Sequence, residues 1–202
     1  MIVLASGSPR RKELLAQAGL EFEVEVSDVP EEMLEGELAA DYVSRLAEEK
    51  ARAVFERRGE PGSIVIGADT CVLSGNEVLG KPLNKADGRR MLEGLSGRTH
   101  QVLTGVAVVS AAGAQVAVEI TQVTFTVIPP EEMEAYLDSG HAMDKAGAYG
   151  IQGYSARWIP RIEGCYFNVV GLPIARTMSL LALAKEKLSR PPLDPEATVN
   201  VS

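Results

Sequence analysis

Apolar positions along this chain recur with two periods, close to two and close to three and a half residues, and the period changes where glycine, serine and proline accumulate. Ile2-Val3-Leu4-Ala5 predicts a short buried strand, and after Ser6-Gly7-Ser8 the residues Leu14, Leu15 and Ala18 mark a helix over 9–19. Ser8 suits the N-cap and Pro9 the first helical position. Positions 22–26 alternate as a strand, 31–37 read as an exposed acidic loop, and Tyr42, Val43, Leu46, Ala47, Ala51, Val54 and Phe55 form one face of a long helix over 38–58. The continuous apolar run 63–68 predicts a strand buried on both faces, with Asp69 at its carboxyl end. Residues 71–73 and 77–79 around Ser74-Gly75-Asn76 predict a hairpin that leads into Gly80-Lys81-Pro82.

A helix over 86–95 closing at Gly97, two long strands over 100–110 and 115–128, and a helix from Pro130 follow, the last with Glu131 and Glu132 at its positive end. The stretch 139–153 carries glycines without periodicity and reads as a functional loop. A final hairpin over 156–170 and a helix over 173–188 complete the pattern. Strands interleaved with helices predict an α/β or mixed-sheet architecture. One domain over 1–190 and a flexible tail over 191–202 are expected, and no repeat or linker divides the chain.

Composition narrows the partners. With 202 residues and 46% hydrophobic content the chain is long enough to bury a core. The formal charge of −8 argues against a nucleic-acid backbone as partner, because such binding needs a basic surface. A small anion is compatible with that charge if cations gather locally. The start lacks the basic and apolar regions of a signal peptide, and no apolar stretch is long enough to span a bilayer, so a cytoplasmic protein without a membrane partner is expected. Cys71 and Cys165 both lie in apolar, strand-like runs and read as buried free thiols rather than a disulfide or metal site.

Four constellations could carry chemistry. Ser6-Gly7-Ser8-Pro9-Arg10-Arg11-Lys12 places three cations in the first turn of a helix, where the macrodipole is already positive, so the arrangement suits a bound phosphate; the alternative is a capped helix with solvated cations. Gly67-Ala68-Asp69-Thr70 sets a carboxylate after a buried strand, as a general base or metal ligand or else as a turn cap. Lys81 is stiffened by Pro82, and Lys50 lies among Arg45, Glu48, Glu49 and Arg52, where simple charge pairing along the helix is the plainer reading. In 144–153, small residues permit close backbone approach, while Asp144, Lys145 and Gln152 offer metal, phosphate and amide contacts.

Taken together, Leu4-Ala5-Ser6-Gly7-Ser8-Pro9-Arg10-Arg11, Leu46-Ala47-Glu48-Glu49-Lys50-Ala51, Gly67-Ala68-Asp69-Thr70, Gly80-Lys81-Pro82, Leu95-Ser96-Gly97-Arg98-Thr99-His100, 144–153 and Val170-Gly171-Leu172-Pro173 resemble the Maf family of nucleotide pyrophosphatases, relatives of the inosine triphosphate pyrophosphatases. The resemblance implies an elongated mixed sheet flanked by helices, with a cleft between two lobes. It also implies hydrolysis between the α- and β-phosphates with Mg²⁺ or Mn²⁺, a role in cleaning nucleotide pools, and a link to septum formation. By motif, Ser8, Arg11 and Lys50 would bind phosphate, Lys81 would neutralise the triphosphate, Asp69 would accept the proton, and Asp144 and Lys145 would assist. The metal set implied is Asp69, Glu31 and Asp144, with Glu31 or Glu32 open because Pro30 stands where relatives carry the first of an acidic pair. A homodimer is a family-level expectation.

Arg10, Thr70 and Gln152 resemble the subfamily acting on dTTP and UTP; relatives that prefer 7-methyl-GTP carry tryptophan, glutamine and glutamate at those places. An amide at Gln152 both donates and accepts, which suits the mixed edge of uracil or thymine. A nucleotide-binding regulator of division without turnover is the reading of a different class.

Overall fold

In this computed structural model, which describes residues 1–189, three long strands organise the chain: β3 (Ile64–Ser74), β5 (Thr99–Ser110) and β6 (Gly113–Thr124). The expected tail over 191–202 lies outside the described residues. Short strands β1 (Ile2–Leu4), β2 (Glu23–Val24), β4 (Glu77–Leu79) and β7 (Arg161–Glu163) complete a seven-stranded sheet of order β2-β1-β3-β5-β6-β7, with β4 also paired to β3. β1 runs parallel to β2 and β3, and the other pairings are antiparallel, so the sheet is mixed as expected.

The register creates an opening. β1 stops where Leu4 faces Ile66, because Ser6-Gly7-Ser8 turns the chain into helix α1 (Pro9–Gln17). β4 joins the same edge of β3 only from Leu79 opposite Val72. Between these partners, residues 68–71 of β3 have no strand beside them on that edge, and Asp69 sits there. Asp69 is thus in the middle of an unbroken eleven-residue strand rather than at its end, because β5 pairs continuously from Val65–Val109 to Leu73–Gln101 and carries β3 through.

Helix α2 (Ala39–Arg58) covers one face of the sheet, with Ala47, Ala51 and Val54 against Val3, Val65, Ala107 and Val109. It lies unusually close. A Cβ on Gly67 would fall 2.1 Å from the Ala47 carbonyl oxygen, and one on Gly105 would fall 2.1 Å from that of Val43. Only a missing side chain on each strand permits this backbone approach.

The opposite face carries two separate cores. Leu14 and Leu15 of α1 and Leu180, Leu181 and Ala184 of the last helix, α6 (Ile174–Ser189), pack on Ile64, Ile66, Val106 and Val108. Further along the same strands, Val72, Val102 and Val123 meet Met91, Leu92 and Leu95 of α3 (Lys85–Leu95) and Met133, Tyr136 and Leu137 of α4 (Pro130–Asp138). One sheet therefore serves two lobes, and the furrow between them crosses β3 and β5 near Thr70 and Thr104.

The expected hairpin over 156–170 is not formed. A 3-10 turn over Tyr154–Trp158, the three-residue β7 and a short helix α5 (Tyr166–Val170) occupy it instead. Gly164, at φ 125, ends the extended course, and the buried Asn168 amide donates to the Val102 carbonyl and to Thr121 Oγ1 at 2.9 Å each, so α5 is tied to β5 and β6 by a side chain instead of continuing as a strand. Cys165 is consequently outside any strand and half-buried, whereas Cys71 is buried as expected. The strand expected over 22–26 shortens to two paired residues, and that over 115–128 ends at Thr124. No helix among the described residues is long and apolar enough to cross a membrane.

Candidate active site

Alternation along β3 sends Asp69 toward α2 and Thr70 toward the opposite face. The close seating of α2 brings Lys50 over Asp69, with Nζ 2.5 Å from Asp69 Oδ1 and 2.7 Å from Glu31 Oε1. Lys50 is thus not a surface lysine paired along its helix; it is 5% exposed, and its side chain points into the fold. Of its three N–H groups two are used, which leaves one donor for a ligand. Burial pushes the Asp69 carboxyl above its ordinary pKa, opposed by the Lys50 charge and hydrogen bond and by Arg11. For Glu31, partial burial also pushes upward, but Lys50 and Lys81 together hold the group below its usual range.

Glu31 is fixed from three sides. Besides Lys50, the exposed Lys81 ammonium lies 3.5 Å from Glu31 Oε2, and the Tyr42 hydroxyl donates to the Glu31 carbonyl at 3.2 Å. Burial and the neighbouring Asp69 and Glu31 charges push the Tyr42 phenol up to about 12. Of the two glutamates, Glu31 turns its side chain to Lys50 and lines the cleft, whereas Glu32 offers Arg45 its backbone carbonyl at 3.0 Å.

On the other side of β3, Arg11 acts largely as a staple. Its Nε donates to the Gly171 carbonyl at 2.9 Å, Nη1 to Ser6 Oγ at 3.1 Å and the Ala68 carbonyl at 2.9 Å, and Nη2 to Thr70 Oγ1 at 3.1 Å. A guanidinium has five N–H donors, so one on Nη2 is left for a phosphate. Burial lowers the Arg11 pKa, and Asp69 and Glu31 act in the opposite direction. Ser8 occupies the N-cap position, but its hydroxyl makes no cap bond and stays available to a ligand.

The glycine-rich loop closes the far wall. Arg10 Nη1 donates to Asp144 Oδ2 at 2.8 Å, and Lys145 Nζ donates to Asp144 Oδ1 at 2.5 Å and to the His141 carbonyl at 2.6 Å. Burial alone would raise Asp144, yet Lys145 and Arg10 hold it down to about 2. Small residues here serve the protein itself more than a ligand: a Cβ on Gly150 would lie 2.7 Å from the Lys145 stem, and one on Gly147 2.9 Å from Val72. Below them Tyr149 reaches the cleft, and its hydroxyl pairs with His100 Nε2 at 2.7 Å.

Ser8, Arg10, Arg11, Glu31, Lys50, Asp69, Thr70, Lys81, Asp144, Lys145 and Gln152 all line one cleft of about 660 Å³, within the range that takes a small ligand. Its two walls differ. Asp69, Lys50, Glu31 and Lys81 form an ionic wall on the α2 side, while Thr70, Val72, Val102, Tyr149, Val169 and Val170 form a mainly apolar one. Sequence reading missed Tyr42 and Tyr149 as lining residues. Tyr42 lies two turns before Lys50 on α2, and that helical spacing was the available signal.

Asp69 and Glu31 each give one oxygen to the Lys50 ammonium, which fills the point where those two oxygens meet. Their other carboxylate oxygens are hard donors of the kind that would suit a divalent ion completing its shell with phosphate oxygens and water. Asp144 does not join them: it is tied to Arg10 and Lys145, and no group of three or more His, Cys, Asp or Glu side chains suited to a metal occurs among the described residues.

The family model described as Maf-like protein matches residues 1–184. The chain is similar to a dTTP/UTP pyrophosphatase of Hahella chejuensis, 50% identical over 181 residues that cover 89% of this chain and 90% of that one. It is also similar to a dTTP/UTP pyrophosphatase of Symbiobacterium thermophilum, 52% identical over 180 residues, covering 89% and 92% respectively.

Proposed function

The chain belongs to the Maf family, and on that premise we propose that it hydrolyses dTTP and UTP to the monophosphate and pyrophosphate by attack of water on the α-phosphorus. The observation that carries this reading is the buried Lys50 ammonium held between Asp69 and Glu31, with Lys81 beside them, opposite an apolar wall in the same cleft. The ionic wall suits a triphosphate and the apolar wall a base.

The spare N–H of Lys50, the spare N–H of Arg11, the exposed Lys81 and the Ser8 hydroxyl bind nonbridging phosphate oxygens, and Lys145 adds charge at the far rim. Those cations stabilise the charge that builds on the leaving pyrophosphate, the effect expected to lower the barrier most. Asp69 orients the attacking water and takes its proton; a carboxyl raised by burial is a stronger base than an exposed one. Asp69 and Glu31 would hold a divalent cation, Mg²⁺ or Mn²⁺, which when bound neutralises phosphate charge and acidifies water. Arg10, Thr70 and Gln152 set base preference, and the neutral Gln152 amide favours a pyrimidine that both donates and accepts. Substrates are drawn from a cytoplasmic nucleotide pool.

The test is release of pyrophosphate and identified monophosphate from UTP, dTTP, CTP and 7-methyl-GTP. UTP and dTTP should be preferred, and 7-methyl-GTP preferred above them would refute the reading. Asp69→Asn should lower turnover by roughly 10²–10⁴-fold, the usual worth of a general base. The fold should survive, because Lys50 keeps Glu31 as partner. Tight binding without any turnover would instead mark a regulator.

A further inference from the structure

Thr104 is wholly buried on β5 and touches no part of the cleft, yet its hydroxyl lies 2.9 Å from Thr70 Oγ1 and donates to the Asn168 carbonyl at 3.2 Å. A hydroxyl has one proton, and a carbonyl can only accept. With the Thr104 proton on Asn168, the Thr70 proton must go to Thr104, and Thr70 in turn accepts from Arg11 Nη2 at 3.1 Å. This assignment forms all three contacts. The Asn168 carbonyl also accepts from the Gly171 N–H at 3.0 Å, so the reverse orientation would leave no carbonyl unpaired, but it would set two oxygen lone pairs against each other at 3.2 Å and forfeit one of the three contacts.

From this we infer that Thr104 is a positioning residue for base selection: it consumes the Thr70 proton, so Thr70 offers the cleft a lone pair and no donor. Thr70 is half-buried on the apolar wall among Val72, Val169 and Val170. A wall that can only accept at this point selects a base edge that donates. With N3 placed at this point, the imino N3–H of uracil and thymine donates, whereas cytosine N3 only accepts and meets lone pair with lone pair; the cytosine 4-amino group could donate here only in a shifted pose. The inference rests on the pyrimidine reading above and extends it to a residue without ligand contact. Arg11 is part of the same device, since its bond to Thr70 keeps the hydroxyl oxygen turned and its other bonds hold the strand edge.

The experiment compares kcat/KM for UTP and CTP in the unaltered protein, Thr104→Val and Thr104→Ser. The unaltered protein should favour UTP by about tenfold or more, as a site built to accept one substrate N–H does. Thr104→Val frees the Thr70 proton to turn into the cleft, so the UTP:CTP ratio should fall at least about fivefold, mainly through KM, while Thr104→Ser should retain the original ratio. A folded Thr104→Val with an unchanged ratio overturns the inference, and so does a serine variant that shifts like valine. If Thr104→Val does not fold, the unaltered protein decides: equal use of UTP and CTP overturns the inference. Absence of turnover on every pyrimidine triphosphate overturns the proposed function and this inference with it, whereas pyrimidine turnover with an unmoved ratio overturns the inference alone.

Discussion

At the scale of single residues, burial sets the chemistry. Lys50 and Asp69 are both nearly inaccessible, with side chains 7% and 9% exposed, so each stabilises the other chiefly by preventing an unpaired buried charge. Lys50→Met should therefore destabilise the protein by about 3 kcal/mol in urea unfolding. Adding Asp69→Asn should restore most of that loss, and additive losses would show that the pair is not coupled. His100 gives a second case. Burial lowers its pKa from 6.5 to about 4, and its Nδ1 has no partner among the described residues, so the folded protein holds the ring neutral. The unfolded chain binds the proton first as pH falls, so stability is full above pH 6.5 and declines between about 6.5 and 4. The loss is on the order of 3 kcal/mol, and the slope of unfolding free energy against pH should flatten in His100→Gln.

At the scale of elements, the contact between α2 and the sheet governs the site, and it depends on two absent side chains. Gly67→Ala places a methyl group on the Ala47 carbonyl and must lift the helix that carries Lys50. Overpacking of this kind typically costs about 1–3 kcal/mol. Activity should fall with it as the Lys50–Asp69 contact opens, so a Gly67→Ala protein with unaltered stability and turnover would contradict the close-seating explanation. The elements themselves were partly legible. The helix over 38–58 and the strand pair over 100–110 and 115–128 followed from long apolar periods, and appear as α2, β5 and β6. The hairpin over 156–170 was misread because a short apolar run cannot distinguish a strand from a helical turn, and the Asn168 side-chain bonds that decide it come from β5 and β6.

At the scale of the whole molecule, two lobes on one sheet are bridged across the cleft by Arg10 and Asp144. Asp144 is 59% exposed at its side chain, so this pair is worth at most about 1 kcal/mol. Arg10→Gln should leave global stability nearly unchanged, yet hydrogen exchange of 141–150 should accelerate and KM should rise more than kcat falls. Protection unchanged in that segment would mean that the bridge does not restrain it.

The residues that line the cleft were legible because short motifs keep their order along the chain and carry the chemistry locally: a serine and two arginines at a helix start, an aspartate in an apolar strand, a lysine before proline. Their surroundings were not. Whether Lys50 pairs along its own helix or beneath it against Asp69, whether Asp69 ends a strand or sits on the open edge of a longer one, and which hydroxyl Thr70 meets are all settled by neighbours tens of residues away. Local sequence specifies backbone preference and side-chain chemistry; burial, strand register and hydrogen-bond partnership arise only when distant segments exclude water together, and these decided what each residue meets.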